Sequence, residues 1–207
     1  MTRPEDDFDT SAAAALIQRT TDDTQRSLTI QVPQLYAGWG VAWLVGLFVM
    51  WLSVRNQEPY SGPSAAPVIL LSVLLVAALA VTMVTIVRAT RGVHGHSATQ
   101  GKIFGIAWPI GFATLYIVEG ALAHQGADST MLGLVSAAGP LLVTSMMYLA
   151  GAAIWLDKAM LTMGVWLALV VATGVWTGPI TVLLVNSLAG GGGFLAVAGY
   201  LAWRKRR

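Results

Sequence analysis

One acidic residue, Glu119, stands inside an apolar stretch, and its placement is the first chemistry the sequence offers. As a helix, residues 103–123 would reach about 32 Å at about 1.5 Å per residue, close to the roughly 30 Å of a bilayer core. A carboxylate there must reach water, meet a cation or hold a proton. Left unpaired at mid-span, a charge costs on the order of 2.5–3.5 kcal/mol. As a functional group Glu119 can bind a cation or pass a proton. As a structural group it reaches the interface or pairs with Arg55, the one basic residue expected at the same side. The pair with Arg55 is the favoured expectation.

A second candidate is Asn186 with the run Gly190, Gly191, Gly192 and Gly193. Consecutive glycines are unfavourable in a helix by up to about 1 kcal/mol each relative to alanine. They mark either an unwound segment exposing backbone carbonyls to a ligand or a place where helices come very close. Trp108 and Tyr116, with Trp166 and Trp176, can line an apolar cavity for a flat ligand, although membrane anchoring and packing explain such residues more often. His94 and His96 fall on one side of the membrane and His124 on the other, so no metal site is expected. HExxH, GxSxG and P-loop motifs are absent, as is any pair of intramembrane carboxylates, so the chain is not expected to be an enzyme or to carry a cofactor. With no cysteine, thiolate chemistry and disulfides are excluded.

The elements that must position these residues are membrane helices. The chain has 207 residues, 56% hydrophobic and 11% charged, and its mean hydropathy is +0.67; a soluble domain carries about 25% charged residues. The expected fold is all-α, a polytopic membrane bundle of six transmembrane helices over 35–54, 67–87, 103–123, 131–155, 160–176 and 179–203. Residues 1–33 form a cytoplasmic arm with a short amphipathic helix capped by Thr10 or Ser11. Pro33 is expected to end it, 34–203 form the membrane domain, and 204–207 are a basic tail. The polar, acidic start contains no apolar signal segment. Pro109 and Pro140 are expected to kink their helices.

Alternation places Arg3, Arg19, Arg26, Arg88, Arg91, Lys102, Lys158, Arg204, Lys205, Arg206 and Arg207 on one side, with Arg55 alone opposite. The positive-inside rule then makes both termini cytoplasmic in a multi-pass protein of the plasma membrane. The net charge of +2 reflects these span ends, and no basic face for nucleic acid is present.

Gly40-Val41-Ala42-Trp43-Leu44-Val45-Gly46-Leu47 is matched 65 residues later by Gly105-Ile106-Ala107-Trp108-Pro109-Ile110-Gly111-Phe112. A shorter echo, Gly164-Val165-Trp166, opens the fifth stretch. This suggests a repeated two-helix unit. Ala42 with Gly46, and Ala107 with Gly111, are small-xxx-small pairs that let a neighbouring backbone come close, so both pairs are expected to face the bundle interior.

Through Trp39-Gly40-Val41-Ala42-Trp43-Leu44-Val45-Gly46 and Leu188-Ala189-Gly190-Gly191-Gly192-Gly193-Phe194-Leu195, the chain resembles a group of uncharacterised actinobacterial six-span small membrane proteins loosely labelled transporter or permease. The resemblance implies a topology and no functional residue. Size and layout are also similar to substrate-binding components of energy-coupling-factor vitamin transporters. That similarity implies a role for Ala42 and Gly46 in docking a partner, though no vitamin-site motif is present. Exporter permeases of the ABC-2 type differ, since a long outer segment usually joins their last two spans.

These readings lead to a transport-associated membrane subunit, a permease or substrate-binding component working with a separate cytoplasmic ATPase. The alternative is a membrane sensor or scaffold that docks a cytoplasmic regulator through residues 1–33 and 88–102. The lipid bilayer is the certain partner in both, with homo-oligomerisation compatible with either and nucleic acid with neither. The topology makes a direct prediction: cysteine in place of Ser61 is expected to react with an impermeant maleimide on intact cells, and cysteine in place of Ser97 is not. The reverse labelling pattern overturns the orientation.

Overall fold

The computed structural model describes the backbone of residues 10–90 and 96–204 and the side chains of 32–90 and 98–204. The arm's capping side chains, Arg91, His94 and the tail beyond Arg204 lie outside the described residues. All regular structure described is helical: α1 (Thr10–Val54), α2 (Ala65–Ala89), α3 (His96–His124), α4 (Ser129–Trp155), α5 (Lys158–Gly174), a 3-10 turn (Val175–Thr177), α6 (Gly178–Val185), a π-helical segment (Asn186–Gly191) and α7 (Gly192–Arg204).

Among the described residues, five helical stretches are long and apolar enough to cross a membrane, the fifth being Lys158–Arg204 with 47 residues. That fifth stretch folds back on itself at Gly178, whose φ of 87° lies in the region open to glycine. A Cβ on Gly174 would touch Val182 and Val185, and one on Gly193 would meet Trp166, so α5 runs antiparallel to everything after the turn.

Local sequence explains several boundaries. Asp128 and Asp157 cap α4 and α5, each carboxylate accepting from the backbone N–H three residues on at 2.7 Å. Leu156, left-handed at φ 52°, ends α4 one residue before the α5 cap. Only two residues therefore join α4 and α5. Pro33 does not end a helix as expected, since α1 continues through it. A proline inside a helix costs about 3 kcal/mol, yet α1 is held downstream of it by its own buried stripe of Tyr36, Trp43, Leu47 and Val54. Pro109 and Pro140 likewise lie inside α3 and α4.

The core is built by α1, α4, α5, α6 and α7, through Leu141, Met163, Leu167, Val182 and Phe194 among others. Along α2 only Pro67 and Ala78 are buried, and no described residue of α3 is. α2 packs on α1, where the Trp39 indole donates to Thr82 at 3.0 Å; α3 packs on α4. The repeated sequence motif therefore does not yield a repeated packing unit. Ala42 is buried and Gly46 lies against Leu71 of α2, whereas Ala107 and Gly111 are only half-buried on a peripheral helix. The physical reason is that a small-xxx-small pair permits close approach without saying which helix will approach. Ala42 and Gly46 are covered by the chain's own helices and are not a free docking face.

The glycine run is wound as a π-helix running into α7 rather than as an unwound segment, and close approach of helices accounts for its glycines. Its glycines face different neighbours. A Cβ would lie 2.5 Å from the Leu44 backbone N at Gly191, 3.2 Å from Leu141 at Gly190 and 2.5 Å from the Trp166 indole N at Gly193, while Gly192 has nothing within 4 Å. Gly191→Ala must displace backbone of α1 and is expected to destabilise the protein by about 1–3 kcal/mol. Gly192→Ala is expected to leave stability unchanged or raise it by up to about 1 kcal/mol through helix propensity. Thermal unfolding of the two variants in one detergent checks the contrast.

Candidate functional site

Three places carry polar chemistry: the α3–α4 seam at Glu119, the buried Asn186, and a bowl where the loops at one end of the bundle meet.

Phe104, Trp108, Gly111, Leu115 and Glu119 recur at three- and four-residue spacing and form the one face that α3 turns to α4. Phe104 meets Trp155 with ring centroids 4.7 Å apart, and Trp108 meets Tyr148 at 6.3 Å. Gly111 lies against Val143 and Leu115 against Gly139. Glu119 completes the seam, its Oε1 accepting a hydrogen bond from the Ser136 hydroxyl. Its Oε2 is buried and has no hydrogen-bond partner.

The expected pair with Arg55 is not formed. The Arg55 guanidinium lies over the Trp51 ring, 5.8 Å from its centroid. The reason is topological: α1 packs on α2, α6, the π-helical segment and α7, whereas α3 packs on α4, so the two helices are not neighbours. Ser136 is the partner that sequence reasoning missed. Its signal was present in the spacing from Phe104 to Glu119, which puts the carboxylate on the aromatic and small-residue face.

Trp108 and Tyr116 do not line a common cavity. Trp108 stacks among Phe104, Phe112 and Tyr148, and Tyr116 is 55% exposed on another face.

Asn186 is fully buried. Its Nδ2 donates to the Ala137 carbonyl of α4 at 2.8 Å, and its Oδ1 has no partner. The adjacent Ser187 hydroxyl donates to the Leu44 carbonyl of α1 at 2.7 Å. From α5 the Trp166 indole donates to the Ala189 carbonyl at 2.8 Å. π-helical turns shift the backbone ladder and are frequent at functional sites. On the α5 side Gly174 lies beside the amide: a Cβ there would stand 3.6 Å from Asn186 Oδ1, an ordinary contact.

The bowl has a volume of about 380 Å³ and is lined by Glu58, Tyr60, Thr130, Thr177, Gly178 and Thr181, among others. It is built by cross-links between loops. Gln57 donates to the Gly62 carbonyl and accepts from the Ser61 N–H, and the Ser129 hydroxyl of α4 donates to the Tyr60 carbonyl. Tyr60 lies against Gly133, where no side chain would fit. Burial raises the Tyr60 phenol above its ordinary pKa, and Glu58 is the one acidic side chain lining the bowl. Thr181 lies on the wall, and Asn186 follows five residues further along the same chain, about 8 Å deeper at about 1.5 Å per residue. These loop residues were not read as a site from sequence, since nothing local brings residues 58, 130 and 177 together.

Comparison with known proteins finds no matching family model, no matching curated protein and no matching solved structure.

Because Glu119 and Arg55 are not partners, Glu119→Gln and Arg55→Gln are expected to change stability additively, with a coupling below about 0.5 kcal/mol. Glu119→Gln and Ser136→Ala are expected to couple by roughly 1 kcal/mol. Double-mutant cycles on thermal or denaturant unfolding in detergent give both numbers.

Proposed function

We propose that the chain is a transport-associated subunit of a bacterial plasma membrane, with six spans, both ends cytoplasmic and the Tyr60 bowl outside. In this reading the Lys158–Arg204 stretch supplies the last two spans, separated by the turn at Gly178. The bowl admits a small polar solute, to which Glu58 gives a preference for positive charge. Asn186 is the first coordinating group inside, and a separate cytoplasmic ATPase supplies the energy.

The observation that carries the reading is the open Asn186 Oδ1, buried inside the apolar bundle. An unsatisfied buried acceptor costs about 1–3 kcal/mol. A solute N–H or a cation arriving from the bowl would remove that cost, whereas the structural bond to α4 uses only the Nδ2 of the same amide.

The test is purification of the full chain from native membranes in mild detergent, followed by reconstitution in nanodiscs. Recovery of a stoichiometric ATPase is expected, with ATP hydrolysis per assembled complex reduced severalfold by Asn186→Leu. Recovery of a transcription factor or kinase instead favours the sensor reading. A monodisperse chain with neither overturns the transport assignment.

A further inference from the structure

The opposite end of the bundle carries a different feature. Between α5 and α7 runs a groove of about 410 Å³, lined by Thr162, Met163 and Trp166 on one side and Gly192, Gly193 and Ala196 on the other. Its walls are apolar: the Trp166 indole N–H is already bonded to the Ala189 carbonyl, and the Thr162 hydroxyl to the Lys158 carbonyl at 2.8 Å. The missing side chain at Gly192 keeps it open, since a Cβ there meets nothing within 4 Å. Exposed Leu161, Val165 and Leu188 flank it, so it opens on the apolar surface of the bundle.

Both ridges of this groove end in a cation. On α5, Lys158, Thr162 and Trp166 follow at four-residue spacing and share a face. On α7, Gly193, Val197 and Arg204 do so at four and seven. The two helices are antiparallel, so the start of α5 and the end of α7 lie toward one end, where the Tyr200 and Trp203 rings are tilted against each other with centroids 6.4 Å apart. Beyond Arg204 the sequence continues Lys205, Arg206, Arg207. The nearby Asp157 carboxylate accepts from the Met160 N–H, and among the described residues no carboxylate pairs with Lys158 or Arg204. Thr162 and Trp166 lie about 6 and 12 Å from the Lys158 level, a depth that belongs to the first half of an acyl chain.

We infer that this groove is a site for an anionic phospholipid, with one acyl chain between Trp166 and Gly192 and the headgroup phosphate held by Lys158 and Arg204. In a zwitterionic lipid the headgroup's own ammonium offsets the phosphate charge and competes with the two cations for it; in an anionic lipid that charge is left for Lys158 and Arg204. The inference rests on membrane embedding alone and is independent of the transport reading, so its test uses no uptake or ATPase readout.

The experiment reconstitutes the full chain in nanodiscs containing phosphatidylglycerol or phosphatidylcholine with brominated acyl chains and measures quenching of tryptophan fluorescence. Thermal unfolding in detergent during titration with either lipid serves as a second readout. At about 1 kcal/mol for each of the two basic residues near the surface, phosphatidylglycerol is expected to act at a concentration roughly thirtyfold lower than phosphatidylcholine. The double variant Lys158→Gln, Arg204→Gln is expected to lose that preference. Gly192→Leu fills the groove and is expected to reduce quenching by both lipids while leaving lipid-free unfolding unchanged. Equal action of the two lipids on the native chain overturns the inference, as does a Gly192→Leu variant that binds like the parent. Efficient disulfide dimerisation of Gly192→Cys in membranes also overturns it, by making a second copy the occupant.

Discussion

The segment Asn186–Gly191 approaches three helices at once, and the rest of the bundle depends on that approach. In hydrocarbon there is little hydrophobic gain in bringing two apolar helices together, so association relies on close van der Waals contact and on hydrogen bonds between helices. Both are concentrated here. Gly191 admits the backbone of α1 at Leu44, Gly190 admits Leu141 of α4, and Gly193 admits Trp166 of α5. Three hydrogen bonds fasten the same contacts: Asn186 to α4, Ser187 to α1 and Trp166 to the Ala189 carbonyl. A fourth, from the Ser145 hydroxyl to the Gly164 carbonyl at 2.8 Å, ties α4 to α5 beside it. Such bonds contribute about 0.6 kcal/mol each in membrane proteins, so it is their convergence on one turn that makes this the tie-point.

This centre leaves α2 and α3 as single-contact helices on the outside. Along α2 the exposed residues are mostly Val, Leu and Ile, and Ile103, Ile106, Ile110 and Ile117 of α3 are 59–72% exposed. Bilayer hydrocarbon is the solvent those surfaces fit. The one polar group on the α3 seam, Glu119, is accommodated locally by a hydroxyl of α4 rather than by a charge across the bundle, so it serves the α3–α4 contact.

Polar capacity is divided between the two ends of the molecule. The bowl at the Tyr60 end is hydroxyl-rich with a single carboxylate and stands above the buried amide of Asn186. At the Lys158 end the groove is apolar with a cationic mouth. The same antiparallel hairpin of α5 with α6 and α7 builds one wall of each, through the Thr177–Gly178 turn at one end and the Trp166–Gly193 contact at the other.

Composition, hydropathy and the dispersal of basic residues were enough to read an all-helical membrane chain and to place most helix ends within a few residues. These properties follow from the length of bilayer that an apolar stretch must cross and from the cost of burying charge. Gly190 to Gly193 and Asn186 could be singled out for the same reason, as residues unfavourable in an apolar helix unless something compensates. What the sequence could not supply was the identity of the neighbours. Ala42 with Gly46 and Ala107 with Gly111 read alike, yet one pair lies at the centre and the other on the periphery. Arg55 and Glu119 read from the sequence as a pair, yet Arg55 lies over Trp51 and Glu119 meets Ser136 of α4. Glu58, Thr130 and Thr177, far apart along the chain, meet in one bowl. Local pattern determines whether a residue prefers lipid, water or close packing, while the partner that satisfies the preference depends on which helices are adjacent, and only the tertiary structure decides that.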